Sequence, residues 1–215
     1  MTERMDIFST PILKASPPNA EELNAALLAA IRTQKETHPG LKRSNIGGWH
    51  SDSDMTAWGR EPARDLADFA VKTASAHMVD MAPGGKRQFT WSIEMWANVN
   101  PPGCSNQMHC HPAAFWSAVY YPDPGGSEIE GNGGELLLED PRYPTAYMTV
   151  PDLLFRDANR DPMQSLISIR PVTGRIVMFP SWLRHSVRPH EGDRDRISIA
   201  LNLMLLSAHP DPESN

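Results

Sequence analysis

The stretch Arg196-Ile197-Ser198-Ile199-Ala200-Leu201-Asn202-Leu203 alternates without a break. In an extended strand Ile197, Ile199, Leu201 and Leu203 share one face, and Arg196, Ser198, Ala200 and Asn202 share the other. The first face predicts a strand laid against a core. The second sets a guanidinium among small polar neighbours, where an unpaired cation is costly and calls for an anion. A planar, forked donor suits an anionic co-substrate. A surface salt bridge to Glu191, Asp193 or Asp195 is the plainer alternative, and the position of Arg196 inside a strand argues against it.

Eleven residues before Arg196 stands His185, and far upstream lies the pair His109 and His111. Alternation in a strand aims both imidazoles of a His-x-His pair the same way and turns Cys110 to the opposite side as packing. Two imidazoles on one face repel when protonated, and a metal ion resolves that repulsion. With His185 from a distant strand they form a three-point cap. Such a cap leaves positions open for substrate and O₂, which suits non-haem Fe(II). His38, His50, His77 and His209 have no partner at ligand spacing and are expected to be packed or surface residues.

Working outward, the chain changes character near residue 85. Strands are expected over 87–98, 108–121, 133–138, 166–169, 175–179 and 196–206, with a turn at Asp123-Pro124-Gly125-Gly126. Upstream, Asn19 can cap a helix from Ala20 to about Gln34, striped by Leu23, Leu27, Ala30 and Ile31. A second helix is expected from about Pro62 to Met78, striped by Leu66, Phe69, Ala70, Thr73 and His77. Ile46 to Ser51 predicts a short strand entering a loop. Many short strands after helices predict a mainly β fold with flanking helices, a double-stranded β-helix (jelly roll, cupin-like). One domain over 1–215 is expected, with a helical extension, 1–85, packed on a catalytic core, 86–206.

Composition narrows the function classes. The net charge of −6 and the absence of a Lys/Arg cluster speak against a nucleic-acid face. No apolar run reaches the roughly 18–20 residues a bilayer demands. The first residues carry acids and no apolar segment of the signal-peptide kind, so Cys104 and Cys110 are expected as reduced thiols in a cytoplasm.

Over about residues 90–206 the sequence resembles the 2-oxoglutarate- and Fe(II)-dependent oxygenases. The motifs are His109-Cys110-His111, Gly133-Gly134-Glu135-Leu136, Gly174 to Phe179, His185 and Arg196. Phe179-Pro180-Ser181-Trp182-Leu183-Arg184-His185 and the Tyr120-Tyr121 strand make it especially similar to a bacterial group of such enzymes. The resemblance implies Fe(II) held by His109, His111 and His185, with 2-oxoglutarate as co-substrate. It also implies O₂ and a peptide or small-molecule substrate that is hydroxylated at a C–H bond. Arg196 and Ser198 would meet the distal carboxylate of 2-oxoglutarate. Tyr121 is either a donor to that carboxylate or an ordinary barrel aromatic. Asn98, or Asn100 on the same face, stands where some of these enzymes orient the co-substrate.

One departure matters. Most of the superfamily has a carboxylate where this chain has His111, so Glu135 or Asp123 is an alternative third ligand. Two rival readings follow: a cupin-type three-histidine dioxygenase that uses no 2-oxoglutarate, and a non-catalytic metal-binding module. Trp91, Trp96, Trp116 and Trp182 are candidates to wall the substrate space, with core packing the plainer role for most of them.

Overall fold

The structure, a computed structural model, describes residues 3–81, 89–142 and 153–207. Its strands are β1 (Leu13–Ala15), β2 (Asn45–Ile46), β3 (Trp49–His50), β4 (Phe89–Asn100), β5 (Ser105–His109), β6 (Trp116–Asp123), β7 (Leu136–Glu139), β8 (Leu166–Ile169), β9 (Ile176–Pro180), β10 (His185–Val187) and β11 (Arg196–Ser207). The helices are α1 (Ala20–Thr37), α2 (Met55–Trp58) and α3 (Arg60–Ala76). The strands form a major sheet, β1-β9-β6-β11-β4-β3, and a minor sheet, β2-β5-β10-β7-β8, with every ladder antiparallel.

β11 divides the major sheet. It pairs with β4 from Arg196 opposite Asn100 to Ser207 opposite Phe89, and with β6 from Ile197 opposite Asp123 to Leu203 opposite Trp116. Its apolar face joins Met95, Ala97, Tyr120 and Met178 in a core closed by Leu23, Leu27 and Ile31 of α1 and by Ala63, Leu66, Ala70 and Ala74 of α3. The alanines let α3 lie close to the sheet, and they carry its buried stripe together with Leu66. The expected stripe is thereby corrected: Phe69 and Thr73 are only half-buried and His77 is exposed. A second core lies between the sheets, where Tyr121, Val177 and Phe179 meet Leu136, Leu138, Ile169 and Leu183.

Other boundaries depart from expectation for identifiable reasons. α1 runs three residues past Gln34, and Asn19 serves it through its carbonyl, which accepts from the amide of Leu23, with no side-chain cap. α3 begins at Arg60, so Pro62 sits inside the first turn. The stretch 108–121 is two strands, because Pro112 lacks an amide donor and Ala113 takes a left-handed φ of 74°. Ile46 to Ser51 is also split: Gly47 and Gly48, at φ 72° and 69°, send β2 to the minor sheet and β3 to the major one. The expected start of β4 at residue 87 lies outside the described residues. No helix is long and apolar enough to cross a membrane among the described residues.

Leu27 is fully buried between α1 and the sheet. Leu27→Ala is expected to lower stability by about 2–5 kcal/mol, read as a reduced urea midpoint with an unchanged slope.

Candidate metal centre

His109 ends β5 and faces His185, the first residue of β10, directly across the ladder. Their rings lie 4.3 Å apart between centroids. His111 stands beyond the strand, in the turn after it. Its amide donates to the carbonyl of Ser181 at 3.0 Å, and that tether turns its ring to within 4.9 Å of His109 and 5.1 Å of His185. Convergence of the pair therefore comes from the turn and its tether, and simple strand alternation is not the cause. One ring nitrogen from each residue lies within 4.8 Å of the others, a group able to hold a metal ion. No carboxylate joins it among the described residues. The alternatives to His111 are engaged elsewhere: Glu135 faces Arg188 at 3.6 Å, and Asp123 pairs with Arg194 at 2.9 Å.

The rings suit a cation. Burial holds His109 below the usual imidazole range, and burial with the neighbouring His109 brings His111 to about 4 and His185 to about 3. All three are thus neutral near pH 7, as ligation requires. The Nδ1 atoms of His109 and His185 lie 2.7 and 2.9 Å from the carbonyls of Gln107 and Leu183. A carbonyl only accepts, so those protons sit on Nδ1 and leave Nε2 bare for a metal. Phe179 packs edge-on against His185 at 4.7 Å.

Arg196 occupies the other end of the same interior. It is 1 % exposed. Its Nε donates to the carbonyl of Gly134 and its Nη1 to Ser198 Oγ, each at 3.1 Å, and the guanidinium stands 5.2 Å over the Tyr121 ring. Among the described residues, Nη2 of Arg196 and the hydroxyl of Tyr121 are buried without a hydrogen-bond partner, as are Oδ1 of Asn98 and of Asn100 and Oε2 of Glu135, which has only its longer ion pair to Arg188. Burial pushes the Arg196 guanidinium down and the Tyr121 phenol up. The guanidinium and the phenol also act on each other, each countering the shift that burial imposes on its partner, and donor capacity left on this adjacent pair fits a bound carboxylate. Asn98 lies opposite Ser198 and Asn100 opposite Arg196 in the β4–β11 ladder, so both stand beside the guanidinium's strand position.

The Gly133-Gly134 pair makes this end. Both are left-handed, at φ 62° and 74°, which delays β7 to Leu136 and turns the Gly134 carbonyl toward Arg196. A methyl on Gly134 would fall 2.1 Å from Ser127 Oγ and 3.2 Å from Arg196 Cδ.

Other residues fall in less expected places. His50, expected to be merely packed, is buried, stacks at 5.6 Å on Trp96, and so sits one ring away from His111, which Trp96 meets at 5.7 Å. The register of β3 on β4, His50 opposite Asn98, is what puts it on the inner face. His190 was not anticipated at all. It is buried between Ser127 Oγ and the Arg194 carbonyl, both at 2.7 Å, and is a framework residue. Trp116 is buried, Trp91 donates to Ser75, and Trp182 is 54 % exposed. His38 and His77 are exposed, and His209 lies outside the described residues.

Residues 94–202, just over half of the chain, match the profile of the family described as "Putative 2OG-Fe(II) oxygenase". The chain belongs to the 2OG-Fe(II) oxygenases. No curated protein matches it. Among solved structures, a Pseudomonas putida prolyl-4-hydroxylase superposes with TM-score 0.60 at 18% identity, over 91% of this chain and 93% of that one. A Trichoplax adhaerens prolyl hydroxylase, in complex with a hypoxia inducible factor peptide fragment, gives 0.60 at 15% identity over 90% and 83%. HygX from Streptomyces hygroscopicus, with nickel and 2-oxoglutarate bound, gives 0.59 at 13% over 91% and 83%. The two sheets are those of the double-stranded β-helix. The family's cofactors are Fe(II) and 2-oxoglutarate, and the three imidazoles are able to bind the iron of this oxygenase.

On the expectation that Arg196 meets the distal carboxylate, Gly134→Ala should weaken 2-oxoglutarate binding at least ten-fold while leaving Fe(II) affinity within about two-fold, because the clash reaches Arg196 and not the imidazoles. Anaerobic titrations of each ligand measure it.

Acid should destabilise the metal-free protein. An imidazole that titrates near 6.5 when unfolded and near 3–4 when folded is protonated first in the unfolded chain. Stability is therefore full above about pH 6.5 and declines as pH falls toward the folded values. Thermal unfolding between pH 7.5 and 5 should show that decline, and His185→Gln should flatten it.

Proposed function

We propose that this oxygenase is a hydroxylase whose metal ligands are His109, His111 and His185 and whose 2-oxoglutarate is gripped by Arg196, Ser198 and Tyr121, with Asn98 beside it. The observation that carries the reading is the pair of unmet donors, Arg196 Nη2 and the Tyr121 hydroxyl, buried in the same interior as three neutral imidazoles. Bound there, Fe(II) with 2-oxoglutarate and O₂ supplies oxidative decarboxylation to succinate and CO₂, the second oxygen atom passing to a substrate C–H bond.

The chain's own part is holding and excluding. Arg196, anchored by Gly134 and Ser198, keeps two of its three nitrogens occupied and offers the third, Nη2, to a carboxylate. A guanidinium fixed on two sides loses little freedom on taking up the anion. Phe179, Leu183 and Tyr121 keep water from the inner end, which strengthens the ion pair. The Trp96 indole, only half-buried beside His111, is a flat apolar wall where a substrate C–H can rest. The prolyl hydroxylase solved in complex with a peptide fragment supports a peptide substrate over a small molecule. Residues 1–215 act as one domain in this reading, with the N-terminal elements bracing the core.

The lack of a carboxylate ligand among the described residues favours a second reading, a three-histidine dioxygenase that binds its substrate directly. The unmet donor of Arg196 opposes it. Anaerobic titration of the Fe(II) protein with 2-oxoglutarate decides: a metal-to-ligand absorption band supports the proposal, and its absence at millimolar concentration favours the rival. A charge-assisted contact is worth about 1.5–3 kcal/mol, so Arg196→Gln should weaken 2-oxoglutarate roughly ten- to a hundred-fold and leave Fe(II) binding nearly unchanged.

A further inference from the structure

Two of the three imidazoles are fixed by carbonyl oxygens, and the third is not. Among the described residues, the partner of His111 Nδ1 is the side-chain amide nitrogen of Asn202, at 3.3 Å. The amide oxygen of Asn202 accepts from Ser117 Oγ at 3.0 Å, and Ser117 lies opposite Asn202 in the β6–β11 ladder. Both are buried. In that orientation the amide N–H needs a bare Nδ1, so the single proton of a neutral His111 sits on Nε2. A protonated Nε2 has no lone pair for a metal.

An asparagine amide keeps its shape when oxygen and nitrogen exchange places, and a serine hydroxyl accepts as readily as it donates. Turning the amide over yields a complete second set of bonds. Asn202 Oδ1 then accepts from His111 Nδ1–H, Asn202 Nδ2 donates to Ser117 Oγ, and Nε2 of His111 is bare. Asn202 is well placed for this, because β11 is bonded along both edges and holds the amide at one height beside the ring.

We propose that Asn202 is a positioning residue of the metal centre: its amide, backed by Ser117, sets the tautomer of His111 and turns over when the ion binds. The proposal rests on the reading of the three histidines as metal ligands. It assigns to a neutral amide the orienting task that backbone carbonyls perform for His109 and His185. It also explains why a polar, paired Asn–Ser couple sits on the inner face of an otherwise well-packed sheet.

The test is nitrogen NMR of the histidine rings, with and without Zn(II), in the parent, Asn202→Asp and Asn202→Leu, together with Zn(II) affinities measured against a chelator. In the metal-free parent His111 should carry its proton on Nε2 while His109 and His185 carry theirs on Nδ1. Zn(II) should move the His111 proton to Nδ1. Asn202→Asp, whose carboxylate only accepts, should show that tautomer without metal and bind Zn(II) at least as tightly as the parent. Asn202→Leu should bind it about ten- to a hundred-fold more weakly. The aspartate variant keeps the side chain's size and carries the test if the leucine variant fails to fold. A metal-free parent with His111 already protonated on Nδ1, or a folded leucine variant with parental Zn(II) affinity, overturns the proposal. A parent that binds no Zn(II) overturns the metal-centre reading itself, and this proposal with it.

Discussion

The hydrogen bonding of β11 along both of its edges is the constraint on which the other features depend. A strand caught between two partners cannot slip, and a slip of one residue would exchange its faces. Ile199 would then point into the site and Arg196 into the helix-facing core. Because β4 and β6 hold the register, the apolar residues of β11 close the core against α1 and α3, and its polar residues are delivered to the interior between the sheets. Arg196, Ser198 and Asn202 are therefore parts of one rigid element. The anion-seeking group and the group that contacts His111 share a strand, so their separation is set by backbone geometry.

The minor sheet contributes the imidazoles by a different device. His109 and His185 meet as a cross-strand pair, the closest approach two side chains on neighbouring strands can make. His111 reaches them from a turn that is held to Ser181, in the loop between β9 and β10. That loop thus joins the two sheets, tethers one histidine and leads directly into another. It also displays the exposed Trp182.

How much of this was legible in the sequence follows from which forces are local. The alternation of Ile197 to Leu203 gave the strand, its faces and the burial of Arg196, because period-two patterning against a core has one stable solution. The His-x-His pair was legible as chemistry and misleading as geometry: proline at 112 ends the strand, and a tether distant in sequence restores convergence. The breaks at Gly47-Gly48 and Gly133-Gly134 were visible as glycines, but which sheet each side would join is decided by pairing partners far along the chain. α2 is four residues long, too short to show a period. The Trp96–His50 stack and the Asn202 contact depend on registers between strands more than forty residues apart, and no local pattern encodes a register of that span.

The absence of a carboxylate from the described histidine cluster gives the interior a definite electrostatic character. Three neutral imidazoles leave the charge of a divalent ion undiminished, whereas the superfamily's usual carboxylate would cancel part of it. Arg196 adds another positive charge, buried, with side-chain hydrogen bonds going to a carbonyl and a hydroxyl. Two cationic centres in one interior repel each other, and the repulsion is strongest where water is excluded. A dianion that touches both relieves each of them. 2-Oxoglutarate carries one carboxylate at each end, and that distribution matches a positive charge at each end of the site. In such an interior, metal and co-substrate should favour each other's binding more than in a site whose ligand set already holds a negative charge. The third histidine, read this way, shifts the work of neutralising the metal from the protein to the co-substrate.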